Sequence, residues 1–360
     1  VTGVLKLPKR TPELSSVSDN GCYTAIVMTS NHEAQLIRRI LDAYGVSCAE
    51  LYERQMGYRN RSFPFRQANG AMSNLILYKS EPHILTKIHN ANAVSDYLAV
   101  QGFPTRATLS PKIIRLKSAT TLKYGAIYSY LPGTTIPWEA YTMKHLKLLG
   151  LSMGQMHQSL AYMSLPVALP DVSDEYRAIV GRMQTYFAKD SVIQALRSKL
   201  GLEMNRERFE AYPRLLDYAG RHSGRQVLHM DFVRSNLLFG TGPAHLSLGT
   251  TTISGILDFE KTAFGLPVFD IARTLAFLLV DCKYKTGANM RKYFLLSGYR
   301  KRAGQIIEHS ELLEPLVNLF LTYDFYKFLR HNPYESLSQN EHYTRTRDLL
   351  GVRGLVRQID

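Results

Sequence analysis

Two short segments constrain this chain more than anything else in its 360 residues. The first is Val-Leu-His-Met-Asp-Phe-Val-Arg-Ser-Asn-Leu-Leu-Phe, carrying His229, Asp231 and Asn236. The second is Ile-Ser-Gly-Ile-Leu-Asp-Phe-Glu, which sets Asp258 twenty-two residues after Asn236. Apolar residues frame both: Val227-Leu228 before the first, Leu237-Leu238-Phe239 after it, and Ile256-Leu257 before Asp258. That spacing predicts a loop between two strands, the second pairing over Leu237–Phe239 with Thr252–Leu257. A carboxylate at the end of a buried strand is costly unless it meets a cation or hydrogen-bond donors. The pattern therefore asks for a polar centre on a fixed scaffold.

Bulk properties allow such a scaffold. A hydrophobic content of 45% with 21% charged residues supports a sizeable core, and 360 residues suffice for two lobes. No apolar run is long enough for a membrane span, and the N-terminus lacks the apolar stretch of a signal peptide. Cys22, Cys48 and Cys282 are far apart, which fits a reducing cytoplasm and gives no zinc-ligand spacing. The net charge of +14 favours an anionic partner, but the basic residues are dispersed and nucleic acid is not expected. No Gly-Lys dipeptide occurs, which excludes a Walker A loop.

Residues 1–22 read as a loose arm. A helix is expected next, capped by Ser30 and Glu33, with Ile37, Ile40 and Leu41 on one face and Gly45 at its end. Strands follow at 48–56, 62–67 and 74–79, with a turn at Asn69-Gly70. A helix is expected from Pro82 to Gln101, then strands at 112–116 and 125–131. Residues 23–131 thus form a small β-rich lobe. Leu131-Pro132-Gly133 reads as a hinge into a helical lobe, 132–360. There Leu146, Leu149, Met153, Met156 and Leu160 make a buried stripe, with His157 beside them as a packing or capping residue. Further helices are expected over 171–220, from 270 onward and at 311–329. Asp171, Asp174 and Glu175 read as helix N-terminal acids, with contact to a cationic acceptor as the alternative.

An acid, an amide five residues on and a second acid suit phosphoryl transfer. Asp231 can take the proton of an attacking hydroxyl, while Asn236 and Asp258 can hold Mg2+. Asp270, in Asp270-Ile271-Ala272, can cap the following helix or brace the loop through backbone N–H groups.

These segments resemble the aminoglycoside phosphotransferase and choline kinase superfamily. Its HGDxxxxN loop is similar to His229-Met230-Asp231 through Asn236, its metal-binding segment to Leu257-Asp258-Phe259, and its DxA element to Asp270-Ile271-Ala272. The resemblance spans residues 48–330. It implies an α+β, bilobal protein-kinase-like fold, with a small β-rich N-lobe and a larger, mainly helical C-lobe. It also implies ATP and Mg2+ as cofactors and a small-molecule hydroxyl acceptor chosen by helices over 171–220. Asp231 and His229 become the catalytic candidates. Gly57, Tyr58 and Asn60 fall in the nucleotide loop, Lys79 on the phosphate-gripping strand, and Tyr130 and Leu131 at the adenine hinge. Met230 departs from the family's Gly. The helix after Lys79 lacks the expected Glu near Ala91 or Asn92, and Asp96 is its nearest acid. Two alternatives share the scaffold: a bacterial Ser/Thr protein kinase and a nucleotide-binding pseudokinase.

Overall fold

The computed structural model describes residues 4–6, 31–56, 60–117, 122–164, 168–282, 284–303 and 309–359. They divide into two compact units, one of residues 1–99 and 105–131, the other of residues 100–104 and 132–360.

The first unit is one sheet with a helix packed on each face. Its strands are β1 (Val4–Lys6), β2 (Cys48–Leu51), β3 (Gln55–Met56), β4 (Arg61–Gln67), β5 (Met72–Lys79), β6 (Ile114–Lys117) and β7 (Leu122–Ser129). The order is β1-β6-β7-β5-β4-β2, with β3 also on β4. All pairs are antiparallel except β1 with β6. Strand β1 lies inside the segment read as a loose arm, so part of that arm is paired. Ser30 of the expected cap lies outside the described residues.

Alternation along β5 assigns its two faces, because successive side chains point to opposite sides of a strand. Leu75 and Leu77 join Phe63, Phe65 and Ile127 under Ile37, Ile40 and Leu41 of helix α1 (Asn31–Ala43). Ile76 and Tyr78 turn the other way, toward Ile84 and Ile88 of helix α2 (Ile84–Val100). Gly45 ends α1 and Gly102 follows α2, both at positive φ. These are the stop positions expected from sequence.

The second unit is mainly helical. Its helices are α3 (Met143–Leu160), α4 (Val172–Phe187), α5 (Asp190–Leu200), α6 (Arg206–Glu210), α7 (Tyr212–Arg221), α8 (Val268–Asp281), α9 (Gly287–Met290), α10 (Arg300–Arg302), α11 (Ser310–His331) and α12 (Glu341–Val352). Arg291–Tyr299 forms a π-helix. Small ladders lie among them: β9 (Gln226–Leu228) with β13 (Ala263–Gly265), and β10 (Leu237–Phe239) with β12 (Thr251–Ile256) and β11 (Ser247–Leu248). A further pair joins β8 (Leu202–Met204) to β14 (Val356–Gln358). Asp171 caps α4 through the Ser173 and Asp174 N–H groups and also pairs with Arg225, so the helix-terminal reading of that acid holds. No helix among the described residues is long and apolar enough to cross a membrane.

The stripe on α3 is buried as expected, and it is interrupted by glycines for a reason. A Cβ on Gly150 would sit 1.9 Å from the Phe294 carbonyl oxygen of the π-helix. Gly181 on α4 has nothing within 4 Å of such a Cβ. Gly150→Ala should therefore destabilise the protein by about 3 kcal/mol through overpacking. Gly181→Ala should stabilise it by up to about 1 kcal/mol through helix propensity. Urea unfolding of the two variants checks both signs.

Candidate active site

Strand β9 delivers the chain to His229, and β10 takes it away after Asn236. Between them the loop is held by Asp270, in the first turn of α8 and fully buried. Its Oδ2 accepts the His229 N–H at 2.7 Å and its Oδ1 the Met230 N–H at 2.6 Å. The backbone N-cap of α8 is Pro267, so Asp270 braces the loop instead of capping its own helix. His157 Nε2 lies 3.0 Å from Asp270 Oδ2, and its Nδ1 lies 2.9 Å from the Tyr299 hydroxyl. Burial alone would raise the Asp270 carboxyl. The hydrogen bond and field of His157 and the His229 backbone N–H outweigh it and hold the carboxyl below its usual range. His157 is thus buried as expected, with the added task of bracing Asp270.

Met230 takes φ 60, the left-handed conformation that favours glycine. That backbone costs about 1 kcal/mol or slightly more for a side-chain-bearing residue. The Met230 side chain is only 4% exposed, and its burial contributes roughly 2 kcal/mol, enough to offset the strain. The loop keeps its shape without the glycine.

His229 is fully buried and both ring nitrogens have partners. Nε2–H donates to the Leu257 carbonyl at 3.0 Å, and Nδ1 accepts the Asp231 N–H at 3.2 Å. A carbonyl only accepts and an amide only donates, so the ring is a neutral single tautomer. Burial depresses its pKa, against the fields of Asp270 and Asp231. His229 thus has both ring nitrogens engaged by the backbone, which suits a positioning role for this catalytic candidate. The Leu257 N–H in turn donates to the Asn236 carbonyl at 2.8 Å, so both backbone groups of Leu257 grip the loop.

This grip sets Asp258 beside Asn236. Asp231 is 5% exposed, with Lys261 Nζ 2.8 Å from Oδ1 and Asn236 Nδ2–H donating to Oδ2 at 3.0 Å. Asn236 Nδ2 also reaches the Asp231 carbonyl at 2.9 Å. With the amide nitrogen so engaged, its oxygen is the atom left for a cation. Asp258 sits at φ 64, and its carboxyl is pushed up to about 8, first by burial and then by the hydrogen bond and charge of Glu260. Two crowded acids and an amide oxygen form a hard-oxygen set that suits Mg2+.

Sequence reasoning missed Lys261 and Glu260. The signal was the acid-rich run Asp258-Phe259-Glu260-Lys261, whose last three residues form a 3₁₀ turn.

In the first unit, the expected phosphate grip, Lys79, stands at the end of β5. In kinase folds the strand lysine pairs with an acid of the following helix, so the two share a face. Lys79 falls on the α1 side of β5 with Leu75 and Leu77, and it is exposed. The α2 side carries Tyr78, whose hydroxyl lies 2.9 Å from that of Tyr128, which donates to Asn92 Oδ1 at 3.0 Å. A neutral Tyr78–Tyr128–Asn92 chain thus occupies the place of a lysine–acid pair. Asp96 accepts the Thr108 N–H at 2.7 Å. Gly57 and Tyr58 lie outside the described residues, and Asn60 directly precedes β4. Tyr130 follows β7, with its N–H toward the Met72 carbonyl at 3.4 Å, and Leu131 closes the unit. Gly133 follows in the second unit, where a Cβ would meet Ser254 Oγ at 2.2 Å.

The model of the Phosphotransferase enzyme family matches residues 51–288. The chain belongs to this family. No curated protein matches it by sequence. Among solved structures, it is similar to an amicoumacin kinase in complex with AMP-PNP, Ca2+ and Ami, at 14% identity and a TM-score of 0.67. That match covers 92% of this chain and 96% of the other. It is similar to a microcompartment-associated aminopropanol kinase at 15% identity and a TM-score of 0.60, over 89% and 99% of the two chains. A third likeness is to the GDP and kanamycin complex of APH(2'')-IIIa, at 17% identity and a TM-score of 0.58, over 90% and 99%. These likenesses show the α+β, bilobal protein-kinase-like fold. As a member of this family the chain is a phosphotransferase.

The tautomer of His229 has a measurable consequence. Its folded pKa is depressed, so the unfolded chain takes up a proton that the native ring resists. Stability should fall as pH drops below about 6.5, by up to about 1.4 kcal/mol per pH unit from this group. Urea unfolding between pH 7.5 and 5.5 should show a shallower slope for His229→Gln than for the parent. An unchanged slope would mean the ring is not held neutral.

Proposed function

We propose that this phosphotransferase moves the γ-phosphoryl group of ATP, with Mg2+, to a hydroxyl of a small metabolite or antibiotic-like acceptor. The observation that carries the reading is the clamped Asp231 carboxylate, gripped at one oxygen by Lys261 and at the other by Asn236, beside the acid pair Asp258 and Glu260. Support for a nucleotide and a small acceptor comes from neighbours bound to AMP-PNP or GDP, and from those named as amicoumacin and aminopropanol kinases.

Asp231 orients the acceptor hydroxyl and takes its proton. Lys261 and Asn236 fix the carboxylate so that one geometry is presented, which lowers the entropic part of the barrier. Asn236 and Asp258 would hold Mg2+, with Glu260 within reach of Asp258. The cation, when bound, supplies neutralisation of phosphate charge. His229 and Asp270 keep the loop and the Asp258 segment in register. The loop at residues 57–62 and the Tyr130–Leu131 segment are proposed to meet the nucleotide. Lys79 is not carried forward as the phosphate grip, because it shares no face with α2.

ATP turnover should be screened against pooled sugars, amino alcohols, aminoglycosides and amino acids, with a generic protein substrate as the other arm. Phosphate should enter the small-molecule pool. Incorporation into protein alone would instead support the protein-kinase alternative. On the acceptor found, Asp231→Asn should lower turnover by about 10²–10⁴-fold with the nucleotide still bound. Asp258→Ala should remove the Mg2+ dependence of nucleotide affinity. Lys79→Ala should change turnover by less than about twofold, as for an exposed surface residue.

A further inference from the structure

The end of α7 and the start of α11 bring together a second set of ligand atoms that the phosphotransfer centre does not use. His222 terminates α7, and its Nδ1 lies 2.8 Å from the Tyr218 carbonyl oxygen. A carbonyl only accepts, so Nδ1 is the donor there and Nε2 is the nitrogen left to face a ligand. Metal-binding histidines are oriented in this way by a partner on the far nitrogen. His309 stands at the head of α11 in the left-handed conformation, with φ 48. Its side chain is 10% exposed, and its Nε2 is buried with no hydrogen-bond partner among the described residues. Glu311 follows in the first turn of α11 and is exposed.

The three groups converge. One ligand atom from each of His222, His309 and Glu311 lies within 4.8 Å of the other two. The imidazoles meet edge to face, with centroids 5.0 Å apart. His309 Nδ1 lies 3.4 Å from Glu311 Oε1. A charge-assisted hydrogen bond would be shorter, about 2.7–2.9 Å. The separation instead matches the edge of a tetrahedron with metal bonds of about 2.0–2.1 Å, roughly 3.3 Å. Strained backbone at His309 is a cost that an ion held by its Nδ1 would offset.

We propose that His222, His309 and Glu311 form a binding site for a zinc-class divalent cation, with solvent as the fourth ligand. Two imidazoles and one carboxylate select Zn2+ over the hard cations Mg2+ and Ca2+, which prefer all-oxygen sets. The bound ion clasps the C-terminal end of α7 to the N-terminal end of α11. It thereby ties the helices between α3 and the catalytic loop to the long C-terminal helix. The site stands independently of the phosphotransfer reading.

The test is competition between the metal-stripped full-length protein and a chromophoric chelator for Zn2+, with a Co2+ absorption spectrum as a second probe. An Asp258→Asn background removes the oxygen-rich centre from the titration. One equivalent should bind with Kd below about 1 µM, as structural zinc sites do. Its Co2+ spectrum should show tetrahedral d–d bands. His222→Ala and His309→Ala should each weaken binding by at least about 100-fold, and Glu311→Gln by at least about tenfold. His222→Ala changes only a helix end, so it keeps the test decisive should His309→Ala unfold. Absence of stoichiometric Zn2+ binding, or undiminished binding in folded His222→Ala, would overturn the proposal.

Discussion

The carboxylate of Asp270 is the contact on which the candidate active centre rests. It is fully buried and accepts the N–H groups of His229 and Met230, the two residues that lead into Asp231. A buried charge is tolerated only where donors surround it, and breaking such an arrangement from one side typically costs about 3–5 kcal/mol. His157 supplies the third contact and is itself held by Tyr299 at the end of the π-helix. The brace therefore connects α8, α3 and the π-helix to the loop of His229 to Asn236. The close approach of Gly150 to Phe294 keeps α3 where His157 needs it.

From that brace the order propagates outward through backbone groups. Met230 accepts a glycine-like conformation because its side chain is buried. His229 grips Leu257 from one side and Asn236 grips it from the other. Asp231, Asn236 and Asp258 are thus positioned by the chain itself, and Lys261 reaches in from an exposed position. Positioning and charge neutralisation are what phosphoryl transfer chiefly demands.

Much of this was legible in the sequence where local pattern decides the outcome. Ile37, Ile40 and Leu41 marked the buried face of α1. The Leu237–Phe239 and Thr252–Leu257 pairing, and with it the juxtaposition of Asn236 and Asp258, followed from spacing. What escaped depends on parity or on distance along the chain. Lys79 looked like a strand-end cation, but one residue of register decides which face it occupies, and Tyr78 takes the α2 side. Lys261 and Asp231 are thirty positions apart, and His157 and Asp270 more than a hundred, so no periodicity links them. Asp270 read equally well as a cap or a brace until the helix start at Val268 settled it. Strand β1 is three residues in a polar arm, too short for alternation to show.

The most direct test of the account is Asp270→Asn. The amide keeps the shape of the carboxyl, loses its charge and presents an NH2 group to backbone donors. Turnover with the acceptor and thermal unfolding should be measured on the same preparation. The account predicts a folded protein with a lowered melting temperature and turnover reduced by at least about 100-fold, the penalty expected for a misplaced catalytic group. A folded Asp270→Asn protein with the parent's turnover would contradict it.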